Sequence, residues 1–147
     1  MEIKISKEYQ DKWRKFIKRS LRNVEYLNKS IPEEIIEEIS YKLVMKNISK
    51  GDYLFKVGEP CKEIYIVCKG RIEILISNNR HSNETYLDTI YAGCSVGSYS
   101  ALNVEDYSIS GKALTDWVIL KLEFIALEAM RSEYEELDDS IAEYEQY

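Results

Sequence analysis

Between residues 44 and 122 the chain turns every few residues, too often for a helix to grow. Lys50-Gly51-Asp52 and Gly58-Glu59-Pro60 are turns, and Lys69-Gly70 is a tight link. Between them stand Ile64-Tyr65-Ile66-Val67, an apolar run of strand length, and Arg71 to Ile76, in which Ile72, Ile74 and Ile76 alternate. The polar stretch 77–84 reads as a hairpin loop, followed by a strand over residues 85–91. Residues 109–115 and 117–122 add two more strands, with Val118, Leu120 and Leu122 alternating in the second. Many short strands with glycine turns spell a small β-sandwich or barrel.

Both flanks change to helical period. Tyr9, Trp13, Phe16, Ile17, Leu21 and Val24 line one face of a helix over residues 7–23. Ser30-Ile31-Pro32-Glu33 predicts a second helix opened by a capping box, with Ile35, Ile36, Ile39 and Leu43 facing inward. Met130, Tyr134, Leu137, Ile141 and Tyr144 repeat at alternating steps of four and three, a seam that needs a partner surface. That predicts one long closing helix, or two with a bend. The fold class is therefore α+β. A helical lead-in (1–43), a roll (44–123) and a closing helix (124–147) form one domain.

Charge is segregated along the chain. Residues 1–22 carry eight lysines and arginines against three carboxylates, a net of +5. Residues 123–147 carry nine carboxylates against Arg131, a net of −8. The two segments attract, within one chain or between two, and the stripe is expected to be partly buried with a mobile end beyond Ile141. The basic segment brings no recognition helix or RNA-binding signature, so nucleic acid is not an expected partner. Composition is ordinary for a globular protein, 45% apolar and 31% charged. No apolar run spans a membrane and no signal core opens the chain, so the expected location is cytoplasmic. Cys61, Cys68 and Cys94 read as reduced thiols, and with the lone His81 they match no metal spacing. With one histidine, no P-loop and no dinucleotide fingerprint, no catalytic residue is assigned and an enzyme is not expected.

The stretch LFKVGEPCKEIYIVCKG (residues 54–70) is specific. Gly58, Glu59, Cys61, the four apolar residues Ile64 to Val67, and Gly70 resemble the first signature of the cyclic-nucleotide-binding family, with Phe55 alone off its pattern. The glycines turn the chain between short strands, and the apolar four cross the roll. The resemblance extends over residues 21–147 and implies the family's antiparallel β-roll of the double-stranded jelly-roll type, with a phosphate-binding cassette at residues 93–111.

In that cassette the resemblance retains the frame and loses the charges. Val96-Gly97 fit, Ser100 fits a small position, and Ala101 is smaller than the usual aliphatic. Ser98 stands where the pattern has the glutamate for the ribose hydroxyl. Tyr107 stands where it has the arginine for the cyclic phosphate, and Ser108 follows at a small or hydroxyl position. The ligand-facing set by resemblance is Gly97, Ser98, Tyr99, Ser100, Ala101, Tyr107 and Ser108. A charge-assisted hydrogen bond contributes about 1.5–3 kcal/mol, so losing both anchors costs roughly 3–5 kcal/mol, or two to four decades of affinity.

Three functional readings follow. The first is a regulatory module of the homology type found in cytosolic regions of ion channels, reaching the membrane only through its assembly. It uses no free cAMP or cGMP and signals through its closing helix. Its pocket would be filled by a side chain of the same protein: Tyr99, Tyr107, Tyr144 or Tyr147. Its partner would be a larger signalling or channel assembly, with self-association as another partner. The second is a working receptor, in which Ser98, Ser100 and Ser108 take over from the missing anchors. Only there would cAMP or cGMP serve as a ligand, and no other cofactor is expected. The third is a structural scaffold.

Overall fold

The structure, a computed structural model, describes residues 2–4, 7–77, 84–97 and 106–145. A short strand, β1 (Glu2–Lys4), precedes helix α1 (Lys7–Arg22). β1 falls in the lead-in read as helical. A single 3-10 turn, Glu25–Leu27, leads to α2 (Glu33–Ser40). On α1 the alternation of apolar and basic residues gives one buried face, with Ile17 and Leu21 inside and Trp13 and Phe16 half-buried. The side chain of Tyr9 lies outside the described residues. On α2, Ile35, Ile36 and Ile39 are buried, and Leu43 follows them inward.

The capping box does not form. Pro32 takes the N-cap position with no side-chain cap. The amide and hydroxyl of Ser30 both donate instead to Asn28 Oδ1, at 2.9 and 2.8 Å. Asn28 captures the serine in a local turn before the helix begins. Arg22 closes the same turn, donating to the carbonyls of Asn28 and Ile31 at 2.6 Å each.

The strands β2 (Val44–Ile48), β3 (Tyr53–Phe55), β4 (Glu63–Val67), β5 (Arg71–Ser77), β6 (Glu84–Tyr91), β7 (Ser95–Val96), β8 (Ser110–Ala113) and β9 (Trp117–Glu123) make two sheets. One sheet runs β1-β2-β9-β4-β7 and the other β3-β8-β5-β6. Every pairing is antiparallel. The fold is an antiparallel roll of two sheets flanked by helices. Lys69-Gly70 links β4 to β5, but those strands lie in different sheets, so the link is a corner and not a hairpin. Gly70 has φ 83°, a left-handed turn that favours glycine. Strands β5 and β6 do form the hairpin that the polar stretch predicts, from Arg71↔Tyr91 to Ser77↔Glu84. The loop between them, with His81, lies outside the described residues.

Helices α3 (Phe124–Arg131) and α4 (Glu135–Glu145) close the chain. Ser132 to Tyr134 form the bend, where the Tyr134 amide donates back to Met130 O at 3.1 Å. The closing stripe is more deeply buried than the sequence suggests: Met130, Leu137 and Ile141 are inside, and only Tyr134 and Tyr144 stay half-exposed. Its partner is the lead-in. Tyr144 packs on Tyr26 with ring centroids 5.2 Å apart, and Ser140 Oγ donates to Tyr26 O at 2.8 Å. Tyr134 donates its hydroxyl to Glu38 on α2.

The expected pairing of basic and acidic segments is not what the described residues show. Arg14 pairs with Glu37, and Lys18 and Arg22 reach Glu33 at 2.7 and 3.2 Å. The cations of α1 thus meet the carboxylates of α2. In the closing segment Arg131 meets its own neighbours, Glu128 at 3.1 Å and Asp138 at 2.9 Å. Neighbouring helices offered partners at contact distance, and contact outweighs the screened field of distant charge.

Candidate functional site

The cassette enters the described structure through β7, which pairs with the edge of β4 at Tyr65↔Val96 and Ile66↔Ser95. Gly97 ends it with φ 94°. A Cβ there would stand 2.9 Å from Glu63 O and 3.6 Å from the Tyr107 hydroxyl, so both the backbone angle and the close approach require glycine. Ser98, Tyr99, Ser100 and Ala101 lie outside the described residues.

The chain returns at Asp106, bridged to Pro60. Tyr107 is zipped by its backbone to the first signature: its amide donates to Glu59 O, and its carbonyl accepts from Gly58 N, each at 2.9 Å. Those bonds turn its side chain into the roll, where it is 6% exposed. Its ring stacks on Phe55 at 4.2 Å and 14°. Its hydroxyl reaches the Cys61 thiol and lies 3.5 Å from Glu63 O. Burial is the main cause that pushes the Tyr107 phenol well above its ordinary value, with the hydrogen bond to Cys61 second. At this site tyrosine is a neutral, buried ring. Ser108, one residue on, is exposed. Ser110 is the hydroxyl that turns back in, accepting from Val57 N at 3.1 Å.

One polar group inside the roll escapes the alternation rule. Val118, Leu120 and Leu122 mark one face of β9, yet Ile119 and Lys121 between them are buried as well. Lys121 lies opposite Tyr65 in register, on the face that Tyr65 turns toward Phe55 of the other sheet. Its ammonium stands 3.4 Å from Glu63 Oε1 and 3.9 Å from Glu123 Oε1. The Tyr65 hydroxyl donates to the other oxygen of Glu63 at 2.5 Å. A buried lysine needs such a partner, because an unpaired charge there costs several kcal/mol. Sequence reasoning passed over it because the pair spans 58 residues and no local pattern announces it.

Two hollows flank this cluster. A 220 Å³ pocket is lined by Leu54, Phe55, Glu59, Pro60, Glu63, Tyr65 and Tyr107. A larger, 530 Å³ groove lies between the Cys61-Lys62-Glu63 segment and the start of α3, at Glu123 to Ile125 and Glu128. Carboxylates rim both. The first holds two, Glu59 and Glu63, and the buried ammonium of Lys121 beside them is engaged by Glu63. Lys112, the cation of the next strand, lies over the Tyr53 ring at 5.5 Å. Such a field disfavours an anion. Tyr144 belongs to the helical seam and not to this pocket, and Tyr147 lies outside the described residues.

Against known proteins, the roll and its corner glycines find their family. The model of the cyclic nucleotide-binding domain matches residues 45–134. The chain belongs to that family. Patatin-like phospholipase domain-containing protein 6 of Mus musculus is 28% identical over 123 residues, which cover 79% of this chain and 9% of that protein. The chain thus spans about a tenth of the length of that relative. Among solved structures, the regulatory domain of Toxoplasma gondii PKA, in co-crystal with cAMP, superimposes with a TM-score of 0.72. Identity is 20%, over 97% of this chain and 54% of that one. The regulatory subunit of a cAMP-independent protein kinase A from Trypanosoma brucei gives 0.67 at 20% identity, over 94% and 46%. Likeness at that level is a likeness of fold. Among the described residues no helix is long and apolar enough to cross a membrane.

Proposed function

We propose that this chain is a non-catalytic regulatory module that does not use free cAMP or cGMP. The observation that carries the reading is Tyr107. By the resemblance it takes the place of the phosphate-binding arginine, and its neutral ring is packed inward against Phe55. Replacing a bidentate cation by a buried phenol removes the strongest phosphate contact, and Glu59 and Glu63 at the pocket add repulsion. A fold shared with the subunit of a cAMP-independent kinase is compatible with a module that takes its signal elsewhere.

The module would work in the cytosol as part of a larger signalling assembly, and an ion channel remains the assembly that the helical lead-in suggests. Its movable part would be the closing segment, which docks on the lead-in through Tyr144, Ser140 and Tyr134. Calorimetry of the purified chain with cAMP and with cGMP tests the reading. The expected dissociation constants lie above about 100 μM. Submicromolar binding of either nucleotide would make the chain a receptor.

A further inference from the structure

Two residues of the roll depart from the family pattern in places far apart in sequence, Phe55 in the first signature and Tyr107 in the cassette. They touch, with rings 4.2 Å apart and 14° from parallel. A third residue shares the contact. Gly111 on β8 lies directly opposite Phe55 on β3. A Cβ on Gly111 would come within 2.6 Å of the ring's Cζ and 2.7 Å of Cε1. Gly111 is not among the glycines with positive φ, so its backbone would accept any residue. What requires glycine is the ring lying across it. In an open site the tip of a phenylalanine would swing away. Here the ring is 2% exposed and lies between two neighbours, Tyr107 and Tyr65, the latter 6.0 Å away and 22° from parallel.

We propose that Phe55, Gly111 and Tyr107 form one packing unit that fills the roll beside Gly97, and that this unit determines specificity by keeping a cyclic nucleotide out sterically. The proposal rests on the reading that the chain does not use free cyclic nucleotides, and adds that bulk acts alongside the missing charge. Among the described residues, the hollow that Phe55 and Tyr107 line is 220 Å³, below the ~300–1,000 Å³ of ordinary small-molecule sites. Restoring the two charges through Ser98→Glu and Tyr107→Arg would therefore leave Phe55 in place across Gly111. Only a smaller residue at position 55 clears the space.

A stability cycle without ligand tests the packing unit. Gly111→Ala in the native chain should lower the melting temperature by about 4 °C or more, since it overpacks a filled interior. In a Phe55→Leu background the same change should cost less than half of that. Equal drops in the two backgrounds would overturn the unit. If Phe55→Leu does not fold, Phe55→Met serves as the background. Exclusion is then tested by titrating cAMP and cGMP into Ser98→Glu/Tyr107→Arg, with and without Phe55→Ile. The triple variant should bind at least about tenfold more tightly than the double, and equal binding would overturn the steric role. Submicromolar binding by the native chain would instead sink the functional reading, and the ligand-free cycle would still decide the packing unit.

Discussion

Two of the aromatic pairs in this molecule sit in different settings. Phe55 and Tyr107 stack inside the roll, both buried, Phe55 on β3 and Tyr107 in the segment that its backbone bonds to Gly58 and Glu59 hold in place. Tyr26 and Tyr144 meet at the helical seam, where Tyr26 is buried and Tyr144 is half-exposed. The first pair is enclosed by two sheets that cannot part without unfolding. The second joins a terminal helix to a single turn of the lead-in, held by side-chain packing and by the bond from Ser140 to Tyr26 O. A module that signals through a helix docking on a roll needs one fixed frame and one surface that can part. Under the function proposed above, the roll is the frame and the seam is the surface that would part.

The largest expected effect breaks the frame. Phe55→Ala should cost about 3–5 kcal/mol in denaturant unfolding, because it removes a buried ring that cannot be replaced by collapse around Gly111. Leu137→Ala, the matching change at the seam, should cost about 2–3 kcal/mol, at the low end of its class, because a terminal helix can settle into the gap. If the seam variant loses as much as the roll variant, the helix is part of the frame.

Alkaline pH sharpens the same comparison. Burial pushes the phenols of Tyr107 and Tyr26 above their ordinary value. A pKa raised in the folded state means stability that is fully present below the unfolded value, near pH 10, and lost as pH rises beyond it. At pH 11 each tyrosine held neutral should cost about 1.4 kcal/mol. Tyr107→Phe should remove its share of that loss, as read by unfolding between pH 9 and pH 11. The smallest effect belongs to the surface. Glu33 has its carboxyl held below the usual range by hydrogen bonds from Lys18 first and Arg22 second. A lowered pKa puts that contribution above the ordinary carboxylate value and removes it as pH falls. Glu33 is largely exposed, so Glu33→Gln should cost well under about 1 kcal/mol, and less still in high salt.

Local pattern carried much of the fold. Alternation at Ile72 and Ile74, the turn glycines Gly58 and Gly70, and the helical stripe at Ile35, Ile36 and Ile39 each report a short-range constraint and stand where the sequence places them, but a register shift after Ile74 buries Leu75 and leaves Ile76 half-buried, against the expected alternation. What stayed hidden is long-range. Lys121 finds Glu63 only once β4 and β9 pair, and Arg14, Lys18 and Arg22 choose the carboxylates of α2 only once two helices meet. The capping box failed because Asn28, outside the motif, took Ser30. At the candidate site, the departures at Phe55 and Tyr107 were legible singly. That they touch, and that Gly111 makes room for one of them, needed the register of β3 with β8.

Hydrogen exchange, residue by residue, tests the division into frame and movable seam most directly. Amides of β4 and β5, from Glu63–Val67 and Arg71–Ser77, should exchange only through global unfolding, whereas those of α4 should open at distinctly lower free energy while the roll stays closed. Protection along Glu135–Glu145 equal to that of the strands would contradict the account, since the closing helix would then be as fixed as the frame it is proposed to move against.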